Sequence, residues 1–343
     1  MTVLRTLIAG CYLVAISLAG CQPSQPAVDA GAGGSFSGDN KKITICLLPK
    51  IKGISYFSSC YKGAQEAAQE LANIELIYDG PTDGDPKKQA EMIDQWVVDG
   101  VDVICVSPNA PDVVANAMTE ARAAGVKVIT WDADGSTASR ELFVNQATSQ
   151  SIGEGMVDAM LRDLGPNVAG DVVIISSDAT SANQNAWIEV MKPALAKTQL
   201  NLATIKYPGE NAGNALADAM DTIKKYPQLK GIFGISSVSF PGAAEGVEQS
   251  GKIGAVLVTG LSTPNDMKKF VKNGTVKSVV LWNTIDLGYL TVYVADALAR
   301  GKLERGAAKI QAGRLGEKQI VGDNVMLGDI LVFTNDNIDQ FDF

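Results

Sequence analysis

Seven nearly continuous apolar runs of strand length recur along this chain: Ile43–Leu48, Val101–Ser107, Val126–Trp131, Val172–Ser176, Gly231–Ile235, Ala255–Thr259 and Val276–Trp282. They do not alternate apolar with polar residues, so each predicts a strand buried on both faces, as in a parallel sheet. Segments with helical spacing separate them: 63–71, 86–98, 112–124, 151–164, 184–196, 214–225 and 286–300. Asp99-Gly100 and Tyr226-Pro227 are helix stops. Repeated βα units imply parallel sheets covered by helices. The repeat pauses after Trp131, passes through 132–140 to the short apolar piece Leu142–Val144, and resumes as a fresh series. The fold expected is α/β, with two similar lobes. Each lobe is a doubly wound parallel sheet with helices on both faces, and a ligand cleft lies between them.

The start of the chain belongs to neither lobe. Arg5, an apolar stretch from Leu7 to Leu18 and the run Leu18-Ala19-Gly20-Cys21 have the order of a secretory leader. A cysteine at the cleavage point resembles a bacterial lipoprotein signal, which implies removal of 1–20 and lipidation of Cys21. Residues 21–41 then form a flexible linker rich in Pro, Gly, Ala and Ser. Its Gly31-Ala32-Gly33-Gly34 follows no strand, so a phosphate-binding role is rejected. The expected location is the cell envelope, facing the periplasm or the exterior, where ATP and NAD are not at hand and no cofactor is expected.

Chemistry is further bounded by what the chain lacks. It has no histidine, which removes Ser-His-Asp and Cys-His catalysis and histidine-bearing metal sites. A net charge of −9, or −10 without Arg5, makes nucleic acid a poor partner. With Cys21 lipidated, Cys46, Cys60 and Cys105 remain; an odd three argues against a disulfide framework. Asp83 and Asp85 lack calcium-loop spacing and predict a turn, so no metal is expected.

In open parallel sheets, ligands bind beyond the carboxyl ends of the strands. Those ends carry Lys50, then Tyr56 and Phe57 in the loop before the first helix; Asp132 and Asp134; Asn183 and Gln184; Ser237, with Pro241 and Ala243 opening the next helix; Ser262; and Trp282. Aromatic rings with amides, hydroxyls and a few charges suit an uncharged polyhydroxylated ligand. Simpler roles exist for several of them. Asp132 could cap a helix or turn, Asp134-Gly135 is a good turn pair, and the aromatic pair could be core. Lys50 could be a solvated charge, and Asn183 and Gln184 could satisfy helix-start donors. Trp96, on a helix stripe, predicts core.

These residues resemble the type I periplasmic sugar-binding proteins of the ribose, galactose and rhamnose group, the receptors of ABC importers. The resemblance runs from about Lys42 to Phe343. Tyr56-Phe57 followed by Gly63-Ala64-Gln65 is similar to the family's aromatic pair and first helix. Val128-Ile129-Thr130-Trp131-Asp132 is similar to its strand ending in a ligand-binding Asp. Gly260-Leu261-Ser262-Thr263-Pro264 stands where many members carry Gly-Phe-Asp. Tyr78–Thr82, Phe143–Gln146, Asn183–Trp187 and Ile338–Phe343 look closest to rhamnose-binding and autoinducer-2-binding receptors. The resemblance implies ligand contacts at Lys50, Asp132, Gln184, Pro241 and Ala243, the last two through their backbones. Asn183 replaces the Asp of autoinducer-2 receptors and Ser262 the Asp common in ribose receptors. A rhamnose-like deoxyhexose is therefore favoured.

The resemblance also implies a hinge of three crossings, near Asn145, Asn283 and 325–332. It divides the chain into an N-terminal lobe of 42–144 plus 284–324 and a C-terminal lobe of 145–283 plus 325–343. It implies a monomer that hands a sugar to an ABC permease in the inner membrane. Three alternatives stand beside it: an autoinducer-2 receptor, a glycosidase using Asp132 and Asp134, and a sugar receptor that docks to a membrane sensor.

Overall fold

The computed structural model describes residues 41–165, 167–303 and 306–343. The leader, Cys21 and the linker as far as Asn40 lie outside the described residues.

Two sheets share one strand order. In the first, β1 (Ile43–Leu48), β2 (Ile74–Tyr78), β3 (Val103–Val106), β4 (Lys127–Trp131) and β5 (Phe143–Asn145) run parallel in the order β2-β1-β3-β4-β5. In the second, β6 (Gly170–Ile175), β7 (Leu200–Lys206), β8 (Leu229–Gly234), β9 (Leu257–Gly260) and β10 (Val276–Leu281) run parallel in the order β7-β6-β8-β9-β10. Each sheet therefore has a topological switch point between its first strand and its third, which is where doubly wound sheets bind ligands.

The sheets are mixed rather than purely parallel. The first is extended by β13 (Asn324–Met326), parallel to β5, and then by antiparallel β12 (Glu317–Val321) and β11 (Lys309–Gln311). The second gains antiparallel β14 (Leu331–Phe333) beside β10. The seven apolar runs became the strands other than β2, β5, β7 and β11–β14. Strands β2 and β7 gave no such run because they are sheet edges, with mostly half-buried residues.

The helices are α1 (Ser55–Leu71), α2 (Pro86–Asp99), α3 (Pro111–Ala123), α4 (Ser149–Leu164), α5 (Ala182–Leu195), α6 (Ala212–Lys225), α7 (Ser239–Gln249), α8 (Pro264–Lys272) and α9 (Thr284–Ala299). End signals set several of them. Asp85 accepts the Lys87 amide and Pro86 opens α2, and Gly100, at φ 74°, closes it. Helix α1 begins well before the expected Gly63, so Tyr56 and Phe57 sit in its first turn and not in a loop. No side chain caps it, and Ile54 holds the N-cap position.

Helices α1 and α9 meet through two glycines. A Cβ on Gly63 would strike the Ile285 carbonyl, and one on Gly288 would strike that of Cys60. That close approach fixes where the first turn of α1, and hence Tyr56, stands. The chain passes between the sheets after Asn145, after Leu281 and after Met326. Asn145, Val325 and Met326 thus pair within the first sheet, where the sequence reading had assigned them to the other lobe. Cys46, Cys60 and Cys105 are free and buried. Burial pushes the Cys46 thiol up to about 12, with Asp99 and Glu75 adding to it.

Candidate functional site

At the first switch point, buried Gln89 of α2 donates to the carbonyls of Pro49 and Ser107, both at 2.9 Å, tying the ends of β1 and β3 together. Lys50 leaves this tie with its side chain 6% exposed. Asp132 follows β4 in a left-handed conformation, φ 62°. That conformation is uncommon for a residue with a Cβ and is least costly for Asn and Asp. Backbone bonds hold it there, from Asp132 N to Val144 O at 3.3 Å and from Gln146 Nε2 to Asp132 O at 2.8 Å.

The Asp132 carboxylate is a hub. It accepts from Tyr56 Oη and from Ser107 Oγ, each at 2.7 Å, and lies 3.8 Å from Lys50 Nζ. Tyr56 Oη in turn accepts from Trp282 Nε1 at 3.0 Å. Burial, and then the Asp132 charge, hold the Tyr56 hydroxyl well above its usual pKa, so it stays a donor. Tyr56 meets Phe57 and Trp282 edge-on at 5.0 and 6.0 Å between centroids, and Trp187 lies 6.3 Å from Trp282. Edge-to-face packing of this kind favours rigid ring walls.

The second switch point is pinned by an amide. Gln184 Oε1 accepts from Ser176 Oγ at 2.6 Å and from Ser177 N at 2.8 Å at the end of β6. Its Nε2 donor takes no part in those bonds. Beyond β8, Ser236 and Ser239 bond to each other, and Ser239 Oγ donates to Ile175 O. Asn183 Oδ1 accepts the Gln184 amide at 2.9 Å and also the Lys50 ammonium at 2.8 Å. The Lys50 bond joins the ends of the two sheets.

A narrow cavity of about 50 Å³ lies between these ends. Eight of the twelve residues expected from sequence line it: Lys50, Tyr56, Phe57, Asp132, Asn183, Gln184, Ser237 and Trp282. The other four stand elsewhere. Asp134 is bound to the buried Arg140 through Nε at 2.5 Å and Nη2 at 2.6 Å, and it accepts Thr130 Oγ1; that pairing takes it out of the cleft. Ala243 is fully buried in α7. Pro241, in the first turn of α7, lines an adjoining cavity with Ile54 and Phe270. Ser262 is buried and donates to Ser237 O at 3.1 Å. Ile235 and Ser236, which follow β8, line the cavity beside Ser237.

Sequence reasoning also missed Ile54, Trp187, Glu210, Leu261 and Leu281 as lining residues. Leu261 and Leu281 had a usable signal, since both stand at strand ends. Trp187 is a full turn into α5, and Glu210 follows an edge strand that gave no apolar run. Burial raises the Glu210 pKa, against the opposing pull of Lys50 and a hydrogen bond with Ser177.

The two acids proposed for a glycosidase do not face one another across a substrate. The arrangement instead offers aromatic faces, hydroxyls and amides around one ion pair. No helix among the described residues is long and apolar enough to cross a membrane. Residues 45–303 match the periplasmic binding protein domain. The ribose import binding protein of Haemophilus influenzae is 25% identical over 269 residues, 78% of this chain and 88% of its own length. A sugar ABC transporter protein from Actinomyces odontolyticus is 33% identical, covering 90% of this chain and all of that one, at a TM-score of 0.72. An ABC transporter solute-binding protein from Clostridium phytofermentas, solved with L-rhamnose, is 27% identical at a TM-score of 0.82 over 88% of this chain and 98% of its own. LsrB from Clostridium saccharobutylicum, solved with AI-2, is 25% identical at a TM-score of 0.83 over 88% and 100%. With the matched domain spanning most of the chain, this protein belongs to the periplasmic binding proteins, as a type I sugar-binding receptor of the ABC-importer kind, periplasmic or extracellular in location and not an enzyme.

Proposed function

We propose that this receptor captures a monosaccharide, a rhamnose-like 6-deoxyhexose first, between its two lobes and presents the closed form to an ABC permease. The observation that carries this reading is the cavity drawn from the ends of both sheets, with Lys50 bonded across to Asn183. A ligand that touches both lobes favours the closed form, because only that form makes both sets of contacts. The cavity as it stands is too narrow for a hexose ring, so entry requires the lobes to part at the three crossings. Ile54, Ile235, Leu261 and Leu281 give a sugar methyl group an apolar wall. The rhamnose-bound relative supports the same choice. The lobes that move are 42–144 with 284–324 and 145–283 with 325–343, adjusted so that Asn145, Val325 and Met326 travel with the first sheet. Lipid on Cys21 tethers the receptor near its permease.

Autoinducer-2 is the second reading, favoured by the relative solved with AI-2. Calorimetric titration of the purified protein with L-rhamnose, other aldoses and autoinducer-2 separates the two. Heat and thermal stabilisation with rhamnose are expected. No response to any sugar would sink the reading. Sugar uptake that survives deletion of the protein while sensing is lost would replace the permease with a membrane sensor as its partner.

A further inference from the structure

Glu210 has no part in the network built around Asp132, yet the structure takes trouble to place it. It sits in the short connection from β7 to α6. Gly209, at φ 73°, donates its amide to Ser177 O at 3.0 Å on one side. On the other side Asn211 caps α6 by accepting the Asn214 amide at 2.9 Å. Strand β7 neighbours β6, so this connection reaches the second switch point. The Glu210 side chain crosses toward the first lobe. Its Cγ would lie 3.9 Å from a Cβ on Gly84, in the connection between β2 and α2. Glu210 lines the cavity.

The charges facing Glu210 are Lys50 from the end of β1, Asp132 from the end of β4, and Asp178 after β6. In the β2–α2 connection, Asp83 is paired with Lys88 and Asp85 caps α2. The cavity itself thus holds two carboxylates, one per lobe, and a single ammonium. Asn183 cannot serve as a charged acceptor, and its Oδ1 is already shared by Lys50 and the Gln184 amide.

We propose that Glu210 is a specificity-determining residue: the second lobe's charged acceptor, which takes a hydroxyl of a neutral sugar whose far side is held by Asp132. This inference rests on the sugar-binding reading. Where the carboxyl group is ionised, a hydroxyl donor meets it in a charge-assisted bond, stronger than a neutral one. The same arrangement rejects anionic sugars, because a third carboxylate would enter a cavity with one ammonium. Without ligand the residue is a burden. Burial raises its pKa, so its contribution to stability is present in acid and is lost as pH rises through the raised value.

Glu210→Gln keeps the shape and removes the charge. Calorimetry of the purified wild-type and variant proteins with L-rhamnose and with D-galacturonate tests the role, alongside the ligand-free Tm. Rhamnose affinity should fall about tenfold, the worth of one charged hydrogen bond. Galacturonate should gain relative to rhamnose, and the ligand-free Tm near neutral pH should hold or rise. Rhamnose affinity within roughly threefold of wild type overturns the role. So does a loss of affinity accompanied by a lower ligand-free Tm, which would make Glu210 structural. If the wild type binds no neutral sugar, the sugar reading itself fails and this role goes with it.

Discussion

The two switch points share a strand order and differ in chemistry. At the first, formal charge is gathered into one built network: Asp132 holds Tyr56, Ser107 and Lys50, and Trp282 reaches in behind Tyr56. At the second, a lone carboxylate, Glu210, stands outside any such network, and the rest of the polarity is spread over Gln184, Asn183 and serines. Each is pinned by a glutamine, but the two are used differently. Gln89 is fully buried and spends its amide on the backbone, while Gln184 pins the end of β6 with its carbonyl and still lines the cavity. A duplicated architecture therefore fixes where ligands go without fixing what holds them. The first lobe presents a rigid ionic template. The second presents one carboxylate, Glu210, among groups that donate or accept as a ligand requires.

If the first switch point is the template, its hub should matter most. Asp132→Ala strips Lys50 of its carboxylate partner in a buried setting and frees Tyr56. Truncating one member of a buried charge pair costs about 2–5 kcal/mol of binding, so rhamnose affinity should fall at least about thirtyfold by calorimetry. A variant that binds within threefold of wild type would mean that Asp132 serves only its own turn. Tyr56→Phe keeps the ring wall and deletes the hydroxyl that links Asp132 to Trp282. A loss of about 1–1.5 kcal/mol, roughly tenfold in affinity, is expected. The matched change at the second switch point, Ser236→Ala, should cost less than half as much. Equal losses at the two positions would erase the distinction between template and adaptable groups.

The comparison sharpens at Asn183, where the lobes touch. Asn183→Asp places a carboxylate 2.8 Å from Lys50 Nζ and recreates the pattern expected of autoinducer-2 receptors. Preference for autoinducer-2 over rhamnose should rise several-fold, about 1 kcal/mol. Competition titrations that leave the ratio unchanged would show that this position does not select between them.

What could be seen in the sequence follows the same division. Central strands were legible because burial on both faces leaves a continuous apolar signature, as in Val103–Val106 and Leu257–Gly260. The edges β2 and β7 carry mixed faces and left no such mark, and Glu210, carried on the connection after β7, disappeared with them. Lys50, Asp132 and Trp282 were legible as cavity-lining residues because strand ends are a topological address. Asp134 has the same address and fails, since Arg140 lies in a later segment and no local pattern announces the pairing. Pro241 and Ala243 entered through a resemblance; α7 places Pro241 at the adjoining cavity and buries Ala243. Tyr56 and Phe57 were placed in a loop because Ile54, which holds the N-cap position, has no capping side chain to mark a helix start; tertiary packing on α9 supplies it instead.

The smallest effect is expected at a second contact between the lobes, far from charge-network control. Ser55 Oγ at the start of α1 donates to Asp266 Oδ1 in the first turn of α8, at 2.9 Å, and the pair is exposed. Unlike the part-buried bond from Lys50 to Asn183, this one competes with water for both partners, so its net worth is a few tenths of a kcal/mol. Ser55→Ala should weaken rhamnose binding by less than about threefold. The change should lie in faster release with an unchanged association rate, because the bond forms only once the lobes have met. Stopped-flow kinetics separate the two rates. A tenfold loss, or a slower association rate, would show that the exposed rim and not the buried template governs closure.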